Sequence, residues 1–110
     1  MKNYKIYLKD ILEASHLIKK FIGAMNFEEF LKDPKTSSAV IRQFEIIGEA
    51  AKNIPKEIQR QHGNVPWKEI AGMRDRLIHQ YMKVDYQVVW DSIGMLPQIR
   101  NAIQRILNKT

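Results

Sequence analysis

Pro66-Trp67-Lys68-Glu69-Ile70-Ala71-Gly72-Met73-Arg74-Asp75-Arg76-Leu77-Ile78-His79-Gln80-Tyr81 is the stretch around which the rest of the chain is organised. Pro66 suits a first helical position, where its missing N–H costs no hydrogen bond. Ile70, Met73, Leu77 and Tyr81 follow at spacings of three and four, which is one face of a helix. At about 100° per residue Arg74 falls roughly 40° from Ile70, inside that apolar stripe, and Tyr81 lies almost beneath Arg74. Asp75 and His79, four apart, lie together toward the opposite side. On an unbroken helix Arg74 and His79 therefore stand roughly 140° apart. An arginine among core positions needs a partner or a cleft, because an unpaired buried charge is very costly. That makes Arg74 the most informative residue of the sequence. The same residues form either a small reaction site or a structural cluster, with Asp75 hydrogen-bonded to His79 and Arg74 in a buried ion pair.

Working outward, a first helix is expected from about Asn3 to Ile22. Its stripe is Tyr4, Leu8, Ile11, Ser15, Ile18 and Ile22, and Gly23 stops it. Asn26 can cap a short second helix with Glu28 and Glu29 in its first turn, ended by Asp33-Pro34. Thr36, Ser37 or Ser38 can cap a third, whose core stripe is Val40, Phe44, Ile47, Ala51 and Ile54. Gly48 beside that stripe either allows a close helix–helix approach or is a weak point worth about 1 kcal/mol. Arg42, Glu45, Glu49 and Lys52 line the opposite side. They read as a solvated face, or as a polar cleft wall that supplies Glu45 or Glu49 to an arginine. Pro55 to His62 is a short helical turn closed by Gly63-Asn64. Trp67 is expected to open the central helix as a buried anchor. Asp85 can cap a last helix running to the end through Val89, Ile93, Leu96, Ile99, Ile103 and Ile106. Pro97, helped by Gly94, should kink or break it. Arg100, Arg105 and Lys109 form a basic end that suits a helix C-terminus. No segment alternates like a strand. The expected fold is all-α, an up-and-down helical bundle of four main helices plus short helical pieces, in a single domain spanning residues 1–110.

Composition narrows the function classes. The chain lacks cysteine, so it has neither a disulfide framework nor a thiolate metal site. Its three histidines, His16, His62 and His79, are far apart in sequence. None stands in a His-Glu-x-x-His pattern, so no metal site is read. No apolar run is long enough for a signal-peptide core or a membrane span, which agrees with a cytoplasmic protein. A net charge of +6 favours an acidic partner such as nucleic acid. The lysines and arginines are spread along the chain, so no basic tail is indicated.

Arg74, His79 and Tyr81 spell R-x4-H-x-Y, which resembles the motif of the HEPN superfamily. In detail the chain is similar to the HepT-like toxins of HEPN–MNT toxin–antitoxin pairs. The resemblance extends to Ala39-Val40-Ile41-Arg42-Gln43-Phe44-Glu45-Ile46-Ile47-Gly48-Glu49-Ala50, to the approach from Pro66 to Asp75, to Val84-Asp85 with Val89-Trp90, and to Leu96-Pro97. Asp75 stands where Asn is more familiar after the arginine. The resemblance implies a homodimer whose two motifs face each other in a cleft. It implies metal-independent RNA cleavage carried by Arg74 and His79, without a cofactor. It also implies a minimal nucleotidyltransferase antitoxin that silences the enzyme by transferring AMP to Tyr81.

The residue types are chemically suited to that role. Cleavage without metal moves one proton from the 2′-hydroxyl and another to the leaving 5′-oxygen, and histidine serves both roles near neutral pH. Arginine offers a fixed fork of donors to the phosphorane charge. One motif histidine per chain for two proton-transfer roles points to a two-fold site shared by two copies. Asp75, Arg76, Glu45 and Glu49 are candidate supporting residues. The alternative reading is a non-enzymatic helical module that binds a nucleotidyltransferase partner, with the motif holding nucleotide or substrate.

Overall fold

A computed structural model describes residues 3–79 and 83–110. Helix α1 spans Lys5–Ile22, α2 Phe27–Leu31, α3 Pro34–Lys52, α4 Lys56–Gln61, α5 Trp67–Ala71 and α6 Met73–Leu77. Two short strands, β1 Ile78–His79 and β2 Lys83–Val84, precede α7 Tyr86–Ile93 and α8 Leu96–Lys109. The all-α class expected from the periodicity holds. Helix α1 packs along α3 on one side and α8 on the other, while α5 and α6 lie against α3. Leu8, Ile11 and Ile18 of α1, Val40, Phe44 and Ile47 of α3, and Ile99, Ile103 and Ile106 of α8 share one buried core.

Local chemistry explains most boundaries. Asn26 caps α2 reciprocally: its side-chain oxygen accepts from the Glu29 amide at 2.9 Å, and its own amide donates to the Glu29 carboxylate at 2.9 Å. Helix α3 starts earlier than Thr36, Ser37 or Ser38 would place it. Asp33 is the cap, its carboxylate accepting from the Thr36 amide at 3.0 Å and the Thr36 hydroxyl at 2.8 Å, with Pro34 in the first turn. Those bonds to the charged form hold the Asp33 carboxyl below its ordinary pKa. Asp85 caps α7 as expected, accepting from the Val88 amide at 3.2 Å. The last helix breaks at Gly94 and Met95, so Pro97 sits in the first turn of α8. Trp67 is buried, and its indole N–H donates to the His62 carbonyl at 3.0 Å. Trp90 is half-buried, its ring against Phe27 and Phe30 of α2.

The central stretch departs from a single helix. Pro66 caps α5 from outside, and the helix stops at Gly72. It resumes at Met73 and ends at Leu77. Ile78 then pairs with Val84 and His79 with Lys83 in a small antiparallel ladder, and the Asp85 amide donates to the Leu77 carbonyl at 2.9 Å. Glycine weakens helix continuity, and β-branched Ile78 and Val84 suit extended backbone. Strands of two residues are too short to show alternation in the sequence. Ile70, Met73 and Leu77 are nonetheless all buried, as their spacing predicts. With the helix ended at Leu77, the 140° separation of Arg74 and His79 and the helical Asp75–His79 pair no longer apply.

Gly48 of α3 is buried where α5 crosses it. A β-carbon there would stand 3.3 Å from the Ile70 carbonyl oxygen and 3.4 Å from that of Ala71. These are backbone atoms held in α5, so they cannot swing aside as a flexible side chain would. An alanine at an unhindered helical glycine stabilises by about 1 kcal/mol. Gly48→Ala is expected to lose that gain and lower the thermal unfolding midpoint, as followed by circular dichroism.

Candidate active site

Arg74 lies in α6, two residues beyond the Gly72 break. Its side chain is 49% exposed and so is not the buried arginine that a continuous helix would create. Its Nε–H donates to Oε2 of Glu45 on α3 at 3.3 Å. The other oxygen of that carboxylate is 3.8 Å from Nη1 of Arg42, one turn earlier on α3. Glu45 is 26% exposed and thus stands between two guanidinium groups. Asp75 approaches Arg74 Nη1 at 3.8 Å, but its side chain is 82% exposed, where an ion pair contributes little. The bond at Nε engages one edge of the Arg74 guanidinium while about half of the side chain stays open to solvent.

Arg76 turns the other way. Its Nη2 donates to the Glu69 carbonyl at 3.0 Å and lies 3.9 Å from the Met73 sulfur. It ties α6 back to α5 across the Gly72 break. Glu49 pairs with no arginine among the described residues. It lines, with Tyr7, Asp10, Arg42, Glu45 and Asn53, a cleft of about 210 Å³ between α1 and α3. The structure therefore brings Glu45, Arg74, Asp75 and Arg42 together, and Arg42 is the member not singled out from the sequence. The available signal was its position three residues before Glu45 on the same helical face.

The backbone of His79 lies in β1, five residues beyond Arg74 and paired with Lys83. The placement of the His79 side chain, and all of Tyr81, lie outside the described residues. Among the described residues, no three His, Cys, Asp or Glu side chains gather as a metal ion would require. No described helix is long and apolar enough to cross a membrane.

A family model described as "Ribonuclease HepT-like" matches residues 11–106. The chain belongs to the HepT-like ribonuclease family. It is 44% identical to a protein of Caldanaerobacter subterraneus subsp. tengcongensis named for RNase activity, over 110 residues that cover 99% of this chain and 98% of the relative. A protein of Thermococcus cleftensis named probable ribonuclease HepT is 46% identical over 106 residues, 96% of each chain. A protein of Methanocaldococcus jannaschii, also named for RNase activity, is 44% identical over 105 residues, 96% of this chain and 85% of the relative. No solved structure matches. The HepT-like match takes in both halves of the described cluster, Arg42 and Glu45 on α3 and Arg74 and Asp75 on α6.

In this HepT-like ribonuclease the Glu45–Arg74 pair is partly screened by solvent, so it contributes little to stability. Glu45→Gln should leave the helical fold intact and shift the unfolding free energy by less than about 1 kcal/mol. Urea unfolding checks this. A loss of several kcal/mol would mean that the pair acts as a core ion pair.

Proposed function

We propose that the protein is a metal-independent endoribonuclease whose site is shared across a homodimer, and that it is the toxin of a toxin–antitoxin pair. The observation that carries the reading is Arg74: a guanidinium held at one nitrogen by Glu45, half open to solvent, on the short helix that runs directly into the His79 strand. With one nitrogen engaged and half of the side chain exposed, the guanidinium keeps donors for a phosphate.

In this reading one His79 takes the proton of the substrate 2′-hydroxyl as its oxygen attacks phosphorus. The bond from phosphorus to the 5′-oxygen breaks, and the second His79 of the dimer gives its proton to that leaving oxygen. The products are a 2′,3′-cyclic phosphate and a 5′-hydroxyl end. Arg74 stabilises the extra charge on the phosphorane oxygens, where a preorganised donor acts most strongly. Since one imidazole must be neutral and the other protonated, the rate should be bell-shaped in pH near neutrality.

Purified protein should sediment at twice the chain mass at micromolar concentration and cleave RNA in the presence of a chelator. Arg74→Ala and His79→Ala should each lower cleavage by at least about 100-fold, the usual scale for a lost transition-state donor or proton-transfer group, with the helical spectrum unchanged. Strong inhibition by a chelator, reversed by magnesium, would contradict the mechanism, as would an active monomer.

Silencing fits the same site. The Tyr81 hydroxyl oxygen attacks the α-phosphorus of ATP bound by a partner nucleotidyltransferase; pyrophosphate leaves and the phenolic proton is lost. The added AMP carries a negative phosphate that Arg74 can bind, occupying donors that substrate phosphate needs, whereas Arg76 is engaged with the Glu69 carbonyl. Tyr81→Phe should therefore keep its fold and dimer but escape silencing. Mass spectrometry of the modified wild type should place AMP on the peptide holding Tyr81; an adduct on Tyr4, Tyr7 or Tyr86 instead would overturn the assignment.

A further inference from the structure

Arg100 is the fifth residue of α8, just past its first turn, and not at the C-terminus that its place in the sequence suggests. It is half-buried, yet no ion pair engages it among the described residues. Arg100 lines three adjoining cavities. One of about 300 Å³ lies against Ser15, Lys19, Ile22 and Leu96. The second, about 280 Å³, is lined by Lys9, Glu13, His16 and Gln104, and the third, also about 280 Å³, by Leu12, Pro97 and Asn101.

Together they make a groove along α1 and α8, with Arg100 at their junction, mostly apolar beside Ile22 and Leu96 and mixed elsewhere. Lys9, Lys19 and Arg100 outnumber one carboxylate, Glu13, and the remaining polar side chains are Ser15, whose hydroxyl donates to the Ile11 carbonyl at 2.7 Å, His16, Asn101 and Gln104. Cations interleaved with neutral amides suit a phosphate–ribose backbone, since the amides serve both phosphate oxygens and ribose hydroxyls. From Lys9 to Lys19 the groove runs ten residues, roughly 15 Å at the helical rise. A single strand spaces its phosphates at least as widely as the roughly 3.4 Å rise of a duplex strand, so that length holds at most about four nucleotides, the low end of the site sizes seen for single strands.

The groove is not the cleft beside Glu45. On α1, Tyr7 and Asp10 face the cleft that contains Glu45, whereas Lys9, Leu12 and His16 face the groove. The two directions differ by roughly 140° around the helix. We propose that the α1–α8 groove is a second RNA-binding surface, which holds the backbone of a single-stranded substrate away from the cleavage site. This rests on the ribonuclease reading above. A strand touching both surfaces must pass around α1, so only a long RNA engages both at once and gains from the linkage.

The test uses the full chain with Arg100→Gln, Lys19→Gln and Arg100→Lys, and single-stranded RNAs of about 5 and about 30 nucleotides, below and above the span of the groove. Binding of the longer RNA to each protein, followed by fluorescence anisotropy across a salt series, does not depend on cleavage. Each glutamine variant is expected to reduce the slope of log affinity against log salt by about 0.7, one phosphate contact on a single strand. Arg100→Lys is expected to retain the slope. In cleavage, KM for the longer RNA should rise severalfold with kcat unchanged, and the shorter RNA should show no change. Unchanged slopes in both glutamine variants would overturn the proposal. So would halving of the particle mass by light scattering, which would make the groove a contact between copies. A wild type that shows the Arg100-dependent slope yet cleaves neither RNA would overturn the ribonuclease reading and leave the groove standing. Cleavage with equal slopes would overturn the groove alone.

Discussion

The backbone-to-backbone approach of α3 and α5 at Gly48 sets the geometry on which the candidate site depends. A glycine lets the Ile70 and Ala71 carbonyls come within contact distance of the α3 axis. Glu45 lies one turn before Gly48 on the same face of α3, and Arg74 lies one turn beyond Ile70. The separation at which the carboxylate meets the guanidinium is therefore inherited from the packing of the two backbones. The buried run of Ile47, Ile70, Met73 and Leu77 supports that contact from below, so the pair rests on a packed layer.

The Gly72 break then gives Arg74 its character. A continuous helix would have pressed the arginine into the stripe of Ile70 and Leu77, where desolvation would demand a tight ion pair. Restarting the helix at Met73 leaves the arginine tethered and accessible, and Arg76 closes the break by bonding to the Glu69 carbonyl. Ending α6 at Leu77 carries the chain into the β1–β2 ladder. His79 is thus presented from extended backbone and the arginine from helix, a combination that a single helix cannot offer. Family membership places this arrangement among HepT-like ribonucleases.

Arg74 and Arg100 show two treatments of a partly enclosed cation. Arg74 is oriented by a carboxylate from a neighbouring helix. Among the described residues no carboxylate pairs with Arg100, which opens onto a groove that other cations share. The first suits a group that must hold one geometry. The second suits a surface that grips a flexible polyanion, where position along the strand matters little.

Periodicity determined that the chain is helical and which helix faces carry the core, because the stripes of α1, α3 and α8 repeat at helical spacing, although Tyr4, Ile22 and Ile93 of the expected stripes are only partly buried. Capping chemistry placed Asn26 and Asp85, whose bonds are local. The R-x4-H-x-Y spacing singled out Arg74, His79 and Tyr81, and the likeness built on it agrees with the family match. Three matters were decided only in three dimensions. The start of α3 passed to Asp33, since several neighbouring residues could cap and only one carboxylate reaches the Thr36 amide. The break at Gly72 was not legible, since helical spacing continues across it; the packing of α5 on Gly48 and the pairing of Ile78 with Val84 settle it. The choice of Glu45 over Glu49 as the partner of Arg74, with Arg42 on the other oxygen, depends on how α6 lies across α3. A contact between residues 29 apart in sequence is fixed by the packing of two helices and by nothing in the spacing of either one.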